Sequence, residues 1–168
     1  IDKEFHYYFQ RSPIKLVDIG ASGGLQENWR KAKKFLNILA FEPDVREYER
    51  LISKADPNIS CHNIALYNNE TVLDFHLTRK QEVSSSFYPN TAFLSRFPDA
   101  ERFDVLETIK VNTDTLDNQI ENGAIDNVDF IKLDAQGAEL EILKGSTNVL
   151  KNVLGLEIEV NFKQIYEK

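Results

Sequence analysis

The apolar run over residues 35–41 (FLNILAF) constrains the fold more than any other segment of the chain. A strand that is apolar on both faces fits a sheet that is covered on both sides. Further strand patterns at residues 14–19, 59–66, 128–134 and 153–160 alternate with segments of helical composition. Such alternation predicts an α/β fold in three layers, with a mostly parallel sheet and helices on both faces.

The 168 residues are expected to form a single domain. Residues 1–13 are predicted to form an N-terminal helix or arm, and residues 84–98 a loop. Two further strands are predicted at residues 71–78, where apolar and polar residues alternate, and at residues 107–113. The predicted helices cover residues 25–34, 45–55, 116–122 and 138–144.

Composition excludes several classes of protein. The net charge of −7 argues against a surface for nucleic acid or anionic membranes. A single cysteine rules out a disulfide framework, and the three histidines share no spacing typical of a metal site, so no metal is expected. No apolar run reaches membrane-spanning length and no signal-peptide pattern opens the chain, so a cytoplasmic protein without a membrane span is predicted.

The glycine-rich segment DIGASGG (residues 18–24) is the first candidate binding site. It follows a strand and precedes a helical segment, so glycines would let the backbone approach a ligand at a helix N-terminus. The dinucleotide pattern G-x-G-x-x-G fails, because Ser22 and Leu25 stand where glycines are needed, which argues against a nicotinamide-dependent oxidoreductase. Asp18 before the loop suits a cationic amine better than a pyrophosphate. The alternative is a tight turn in which the glycines serve packing alone.

Glu42 is the second candidate, at the predicted end of the second strand and 22 residues after Gly20. A carboxylate at this spacing can accept hydrogen bonds from both hydroxyls of a ribose. A surface acid beside the turn at Pro43 is the alternative. Loop and acid together favour an adenosine-type ligand.

A third candidate is the segment DFIKLDAQGAE (residues 129–139). Lys132 lies within an otherwise apolar strand, where a lysine is costly unless it is paired. If the last two strands are neighbours, Lys132 is expected to pair with Glu157 or Glu159; otherwise both strands have a solvated face. The first arrangement places Asp134, Gln136, Glu139 and Glu159 at the carboxyl ends of the strands, where ligands bind in such sheets.

Five segments together resemble the FkbM family of S-adenosylmethionine-dependent methyltransferases. They are VDIGASGG (17–24), FEPD (41–44), NIAL (63–66), VNTDTLD (111–117) and DFIKLDAQGAELEILKG (129–145). The resemblance spans residues 17–160 and implies a Rossmann-like sheet with S-adenosylmethionine as cofactor. It implies methyl transfer to a hydroxyl of a small-molecule acceptor such as a sugar or a polyketide.

Position by position, the resemblance also implies roles in binding the cofactor. Asp18 would face the methionine amino group, and Glu42 would hold the ribose hydroxyls, with Pro43 and Asp44 shaping the adenine side. The residues that would line the methionine and ribose are Gly20, Ala21, Ser22 and Gly24, and those that would flank the adenine are Asn63, Ile64 and Ala65.

The same transfer of roles gives candidates for catalysis and acceptor binding. Asp134 and Gln136 would sit near the transferred methyl group, with Asp134 the first choice of general base and Glu159 the second. Ser85, Ser86 and Glu139 are expected to contact the acceptor.

The sequence departs from the family pattern in two places. Ser22 replaces a glycine, which is tolerated if the backbone there is not left-handed. The helix and antiparallel strand pair that follow the fifth strand of class I methyltransferases are missing, so the sheet is expected to be short unless residues 71–78 and 107–113 extend it. The alternative function is a catalytically inactive Rossmann-like binding module, and the oligomeric state stays open.

Overall fold

The computed structural model describes residues 3–123 and 127–167, so Ile1 and Asp2 of the predicted N-terminal arm lie outside it. The helices are α1 (Lys3–Arg11), α2 (Glu27–Arg30), α3 (Val45–Ile52), α4 (Thr91–Leu94), α5 (Leu116–Glu121) and α6 (Glu139–Lys144). The strands are β1 (Ile14–Ile19), β2 (Leu36–Phe41), β3 (Ile59–His62), β4 (Ala65–Leu66), β5 (Thr71–Thr78), β6 (Val105–Asp114), β7 (Phe130–Leu133) and β8 (Gly155–Ile158).

Five of these strands form one sheet in the order β3-β2-β1-β7-β8, and every neighbouring pair is parallel. The predicted parallel α/β fold is therefore confirmed. Strand order reverses at β1, because β2 extends the sheet on one side and β7 on the other. In such sheets ligands bind in the crevice outside the carboxyl ends of the strands at this reversal.

Apolar side chains on the two faces of the sheet build two separate cores. On one face Val17, Leu39 and Ile131 pack with Leu116 of α5 and Ile142 of α6. On the other face the core contains the alternate strand residues and the partly buried side chains of α2 and α3: Leu16, Ile38, Ala40, Trp29 and Leu51. The apolar pattern of β2 thus reflects burial on both sides, as the sequence predicts.

The predicted strand over residues 59–66 is wrong as one element. The structure divides it into β3, which pairs with β2, and β4, which leaves the main sheet and pairs with β6. Together β4, β6 and β5 form a second, three-stranded sheet, so residues 71–78 and 107–113 do not extend the main sheet.

Three smaller expectations are also settled. The helix predicted over residues 25–34 is reduced to α2 and a 3₁₀ turn at Lys33–Phe35, and the loop over residues 84–98 contains α4. Ser22 does not have a positive φ, so serine in place of the family's glycine meets the condition set for it.

Candidate functional site

A cleft lies at the carboxyl ends of β1, β2 and β7, where the strand order reverses. It holds about 700 Å³ of space, part of which is open to solvent. Its floor includes Ile19, Gly20, Ser22, Phe41, Glu42, Pro43, Asp134, Ala135 and Gln136, and the second sheet and nearby segments contribute Ile64, Ala65, Leu66, Tyr67, Leu73, Phe75, Ser84 and Ser86. The structure therefore brings the three sequence candidates to one cleft.

The glycine loop is held close to both neighbouring strands. The backbone N–H groups of Gly20 and Ala21 donate to the Phe41 carbonyl oxygen at 3.1 and 3.2 Å. Gly20 has φ +72°, and a Cβ on it would lie 1.9 Å from the carbonyl oxygen of Asp134. Gly20 is therefore required by the close approach of β1 and β7, whatever else it does.

Glu47 anchors the other end of the loop, which the sequence analysis missed. Its Oε2 accepts from the Gly23 N–H at 3.0 Å, and Arg50 pairs with the same carboxylate at 2.6 Å. The hydrogen bond from Arg50 lowers the pKa of Glu47. Its (i, i+3) relation to Arg50 on α3 is visible in the sequence, but its contact with the loop is not. Ala21 and Gly24 of the predicted set do not line the cleft.

Glu42 is a buried carboxyl group that faces the cleft. It is 3% exposed, and its Oε1 accepts from the Asp44 N–H at 2.9 Å. Burial, which the hydrogen bonds from backbone N–H groups only partly offset, raises the pKa of Glu42 to about 8. Glu42 forms no salt bridge within the described part of the chain. A buried carboxyl without a cation at the wall of a cleft is arranged to accept hydrogen bonds from a ligand.

Asn63, Pro43 and Asp44 shape the turn after β2. Asn63 Nδ2 donates to the carbonyl oxygens of Glu42 and Pro43 at 2.8 and 3.1 Å, so it supports the turn from outside the cleft lining. Asp44 is fully buried, caps α3 through the Arg46 N–H and pairs with the Arg46 guanidinium. Ile64 and Ala65 line the cleft as predicted.

The buried Lys132 pairs differently from the prediction. Its Nζ lies 3.1 Å from Asp18 Oδ1, and it donates to the Gly20 carbonyl oxygen at 2.8 Å. Glu157 is its neighbour in register on β8, but that carboxylate accepts instead from Trp29 Nε1 at 2.8 Å and from Asn28. The expected pair of Lys132 with Glu157 or Glu159 is therefore wrong. Asp18 on the neighbouring strand β1 stands in register with Lys132 and pairs with it instead.

The pairing bears on the role expected for Asp18. Asp18 is 3% exposed and does not line the cleft. Burial raises the pKa of Asp18, and Lys132 opposes that shift. In the structure Asp18 supports the loop from beneath through Lys132, and its predicted contact with a cofactor amine stays a prediction.

Asp134, Gln136 and Glu159 meet at the carboxyl ends of β7 and β8. Gln136 Nε2 donates to Asp134 Oδ1 at 2.6 Å and to Glu159 Oε2 at 2.8 Å. A hydrogen bond between the Glu159 and Asp134 carboxyl groups, with smaller contributions from burial and charge repulsion, raises the pKa of Glu159 to about 8. Lys132 Nζ lies 3.9 Å from Asp134 Oδ2.

The residues predicted to contact the acceptor lie in different environments. Ser86 lines the cleft, and its Oγ is buried without a hydrogen-bond partner among the described residues. Ser85 is fully buried and donates to the Gln136 carbonyl oxygen at 2.7 Å. Glu139 Oε1 accepts from the Ala135 and Gly137 N–H groups at 3.0 Å, which fixes the turn before α6. Of these three residues, Ser86 is the one that lines the cleft with an unpartnered side-chain oxygen.

Besides Glu47, two further groups of residues at this site have no counterpart in the sequence predictions. Leu73 and Phe75 of β5 line the cleft, and alternation in residues 71–78 places them on one face, but no sequence signal tells which sheet β5 joins. Tyr166 donates to Gln136 Oε1 at 2.7 Å from a segment beyond the last predicted strand. Nothing in the sequence around it indicated this contact.

The described residues hold neither a cluster of metal ligands nor a membrane-spanning helix. Across residues 3–123 and 127–167, no three or more His, Cys, Asp or Glu side chains are grouped so as to hold a metal ion. Within the same ranges no helix has the length and apolar character needed to cross a bilayer.

The parallel sheet, with its cleft at the reversal of strand order, defines a Rossmann-like α/β protein. The family model described as the methyltransferase FkbM domain matches residues 18–168, and the chain belongs to the FkbM methyltransferase family. It is 25% identical over 166 residues to the 2-O-methyltransferase NoeI of Sinorhizobium fredii (strain NBRC 101917 / NGR234). That match covers 90% of this chain and 65% of the relative, so the chain spans about two thirds of its length. No solved structure matches the chain significantly.

Proposed function

We propose that the protein transfers a methyl group from S-adenosylmethionine to a hydroxyl of a small-molecule acceptor. Membership of the FkbM methyltransferase family supports methyl transfer, and the name of the relative NoeI supports oxygen as the receiving atom. The acceptor class that fits this chemistry is a sugar, a polyketide or a related hydroxylated molecule.

Glu42 is the observation that carries the proposed cofactor. Its buried carboxyl faces the cleft without a salt bridge, at the end of the second strand of a sheet whose order reverses one strand away. Two vicinal hydroxyls of a ribose match such a group, since each donates one hydrogen bond to a carboxylate oxygen. The apolar cleft residues Phe41, Ile64 and Leu66 suit an adenine ring.

The residues of the cleft also fit the rest of the cofactor. Gly20 and Ser22 of the glycine loop would hold the methionine part, and Asp134 with Gln136 would lie toward the reacting end. When bound, S-adenosylmethionine supplies a methyl group that is already activated by its positive sulfur. The protein then has to bind and orient the acceptor oxygen, keep water out and receive the hydroxyl proton.

Asp134 is the group proposed to receive that proton. It is 26% exposed at the cleft, with Lys132 Nζ 3.9 Å from its Oδ2 and Gln136 Nε2 donating to its Oδ1 at 2.6 Å. Glu159, whose pKa is raised to about 8, holds a proton at neutral pH and hydrogen-bonds to Asp134. Asp134 is therefore assigned as the base, because it is the carboxyl group of the pair that lines the cleft, and Glu159 is its protonated partner.

Calorimetric titration with S-adenosylmethionine tests the cofactor. We expect saturable binding to the wild-type protein, weakened at least tenfold in Glu42→Ala, because two hydrogen bonds to the ribose are lost. Glu49→Ala, at an exposed glutamate on α3 outside the cleft, is the matched control and should bind normally. NAD serves as the competing cofactor and should not bind.

Methyl transfer is then measured as S-adenosylhomocysteine released with a panel of methyl glycosides and hydroxylated lactones. Release that depends on one acceptor supports the enzyme. Tight cofactor binding with no release from any acceptor would favour the inactive binding module, and binding of NAD alone would overturn the proposal.

A further inference from the structure

Tyr166 is a buried tyrosine whose hydroxyl reaches the carboxylate pair through one intermediate side chain. It is 2% exposed and packs against Phe103 and the backbone of Gly137. Its hydroxyl lies 2.7 Å from Gln136 Oε1 and 3.0 Å from the Val83 carbonyl oxygen. Both neighbours are carbonyl oxygens, so the single hydroxyl hydrogen is shared between two acceptors, and the shorter contact is the one to Gln136.

The orientation of the Gln136 carboxamide follows from that donor. Because Oε1 accepts from Tyr166, the two N–H bonds of Nε2 are left to face Asp134 Oδ1 and Glu159 Oε2. The opposite orientation would aim an oxygen at two carboxyl groups and an amide N–H group at the tyrosine. The Gln136 backbone is fixed as well, at φ +52° with its carbonyl oxygen bonded by Ser85 Oγ.

We propose that Tyr166 is a positioning residue, whose hydroxyl holds the Gln136 carboxamide so that it donates one N–H to Asp134 and one to Glu159. This inference rests on the proposed function for its catalytic meaning, since Asp134 is the base of that proposal. Its physical content is separate: the tyrosine sets how readily Glu159 gives up its proton.

The sign of the effect follows from the hydrogen bonds. Each N–H donated by Gln136 stabilises the ionised carboxylate more than the protonated one. Removing the Tyr166 hydroxyl frees the amide to rotate, so part of the donation to Glu159 is lost and Glu159 holds its proton to higher pH. The charged groups that also act on the pair are Lys132, which favours ionisation, and Glu139, which opposes it; Arg102 lies near Tyr166.

The test is a ¹³C NMR titration of side-chain carboxyl groups in the ligand-free protein, with the Glu159 signal assigned through Glu159→Gln. In Tyr166→Phe we expect the Glu159 midpoint to rise by about one pH unit, as when one hydrogen bond to a charged group is weakened. Thr113→Val is the control, because it removes a buried hydroxyl of comparable structural role in the second sheet. It should lower stability and leave the midpoint unchanged.

A double-mutant cycle establishes that Tyr166 acts through Gln136. Gln136→Asn keeps a residue tolerated at positive φ but shortens the carboxamide by one methylene, so it should raise the midpoint by itself. Adding Tyr166→Phe to it should then change little. An unchanged midpoint in Tyr166→Phe, or equal and additive shifts, overturns the proposal. If Tyr166→Phe does not fold, an unchanged midpoint in Gln136→Asn overturns it instead.

Kinetics separate this inference from the proposed function. kcat should change near the Glu159 midpoint, where the partner of the proposed base loses its proton, and in Tyr166→Phe this step of the pH profile should move with the NMR midpoint, while KM for S-adenosylmethionine stays within twofold. An NMR shift with an unmoved kcat profile overturns the positioning role. If the wild type methylates no acceptor, the proposed function fails, and the titration still decides whether Tyr166 controls the carboxyl pair.

Discussion

Lys132 is a charged side chain inside a parallel sheet, and its contacts explain how the fold tolerates it. Its side chain is 6% exposed, and it joins Asp18, the Gly20 carbonyl oxygen and Asp134. These three partners belong to the strand before the glycine loop, to the loop itself and to the proposed base. A single lysine thus fixes the relative positions of the loop and the base from beneath the cleft.

Replacing Lys132 alone should lower the free energy of unfolding by more than the Lys132–Asp18 pair contributes to it, because the substitution leaves Asp18 without its partner. In Lys132→Met the buried Asp18 carboxyl must take up a proton or remain an unpaired charge, and we expect the free energy of unfolding to fall by about 3 kcal/mol. Lys132→Met with Asp18→Asn should recover part of that loss, since no buried charge remains. Urea unfolding of both single variants and the double variant measures the coupling. Strictly additive losses would mean that the two side chains do not act as a pair.

Substitution of Asp134 should lower kcat more than substitution of Glu159. Asp134→Asn removes the proposed base and is expected to lower kcat by about 100-fold or more, with S-adenosylmethionine binding retained. Glu159→Gln resembles the protonated glutamic acid that a pKa of about 8 implies at neutral pH, so kcat should fall less than about tenfold. Steady-state kinetics at pH 7 compares them. A larger loss in Glu159→Gln than in Asp134→Asn would exchange the two roles.

At the scale of elements, the sequence predicts the strands whose burial it encodes and misses the connections that tertiary contacts decide. β2 is recognisable because both of its faces are apolar. β1 and β7 are recognisable because each is followed by a segment of candidate site residues. The break between β3 and β4 has no such signal, since residues 59–66 remain apolar enough for one strand. Asn63 bonding back to the turn after β2 makes the break, and this partner is 21 residues away in sequence.

The same limit applies to the candidate site. Glu42 and Asp134 were predictable because carboxyl residues at the ends of parallel strands meet at one edge of a sheet. The partner of Lys132 was not, because the pattern shows that a charge needs pairing but leaves the choice of flanking strand open. Tyr166 reaches Gln136 through the packing of an irregular segment, which periodicity does not describe.

The glycine loop offers a matched pair of substitutions. Gly20 and Gly23 both have positive φ, at +72° and +78°, but a Cβ on Gly20 meets the Asp134 backbone at 1.9 Å while one on Gly23 has its nearest neighbour at 3.7 Å. Gly23→Ala should therefore lower the free energy of unfolding by about 1 kcal/mol, from backbone strain alone. Gly20→Ala should lose 3 kcal/mol or more, roughly, because β1 and β7 must separate.

Thermal unfolding followed by circular dichroism measures both alanine variants. Gly23→Ala is the control for positive φ, since it shares the strain and lacks the clash. Equal losses in the two variants would show that the close approach of the strands can relax at little cost.

On the scale of the whole molecule, residues of both sheets line the cleft. The five-stranded sheet supplies the polar residues at its carboxyl edge, and the β4–β6–β5 sheet supplies an apolar wall that includes Leu73 and Phe75. Glu42 lines the same cleft as this wall and is 3% exposed. The burial that suits the cleft to a ligand is therefore the same burial that disfavours a charge on Glu42 in the ligand-free protein.

The raised pKa of Glu42 should make the free energy of unfolding of the ligand-free protein depend on pH. Glu42 has a pKa of about 8 when folded, against an ordinary value of 4.5, so the folded state binds the proton more tightly. The contribution of this proton to the free energy of unfolding is complete below about pH 4.5 and is lost as the pH rises toward 8. Glu42→Gln removes the titration, so relative to the wild type it should gain about 3 kcal/mol in the free energy of unfolding between pH 5 and pH 8.

Glu49→Gln is the matched control for this comparison, because it makes the same change at an exposed glutamate on α3. Urea unfolding of the three proteins at several pH values between 5 and 8 gives the difference in slope directly, since every other titrating group is common to them. We expect the control to run parallel to the wild type. A Glu42→Gln curve that also runs parallel would mean that Glu42 is already ionised and hydrated in the folded protein, so that its burial does not disfavour the charge.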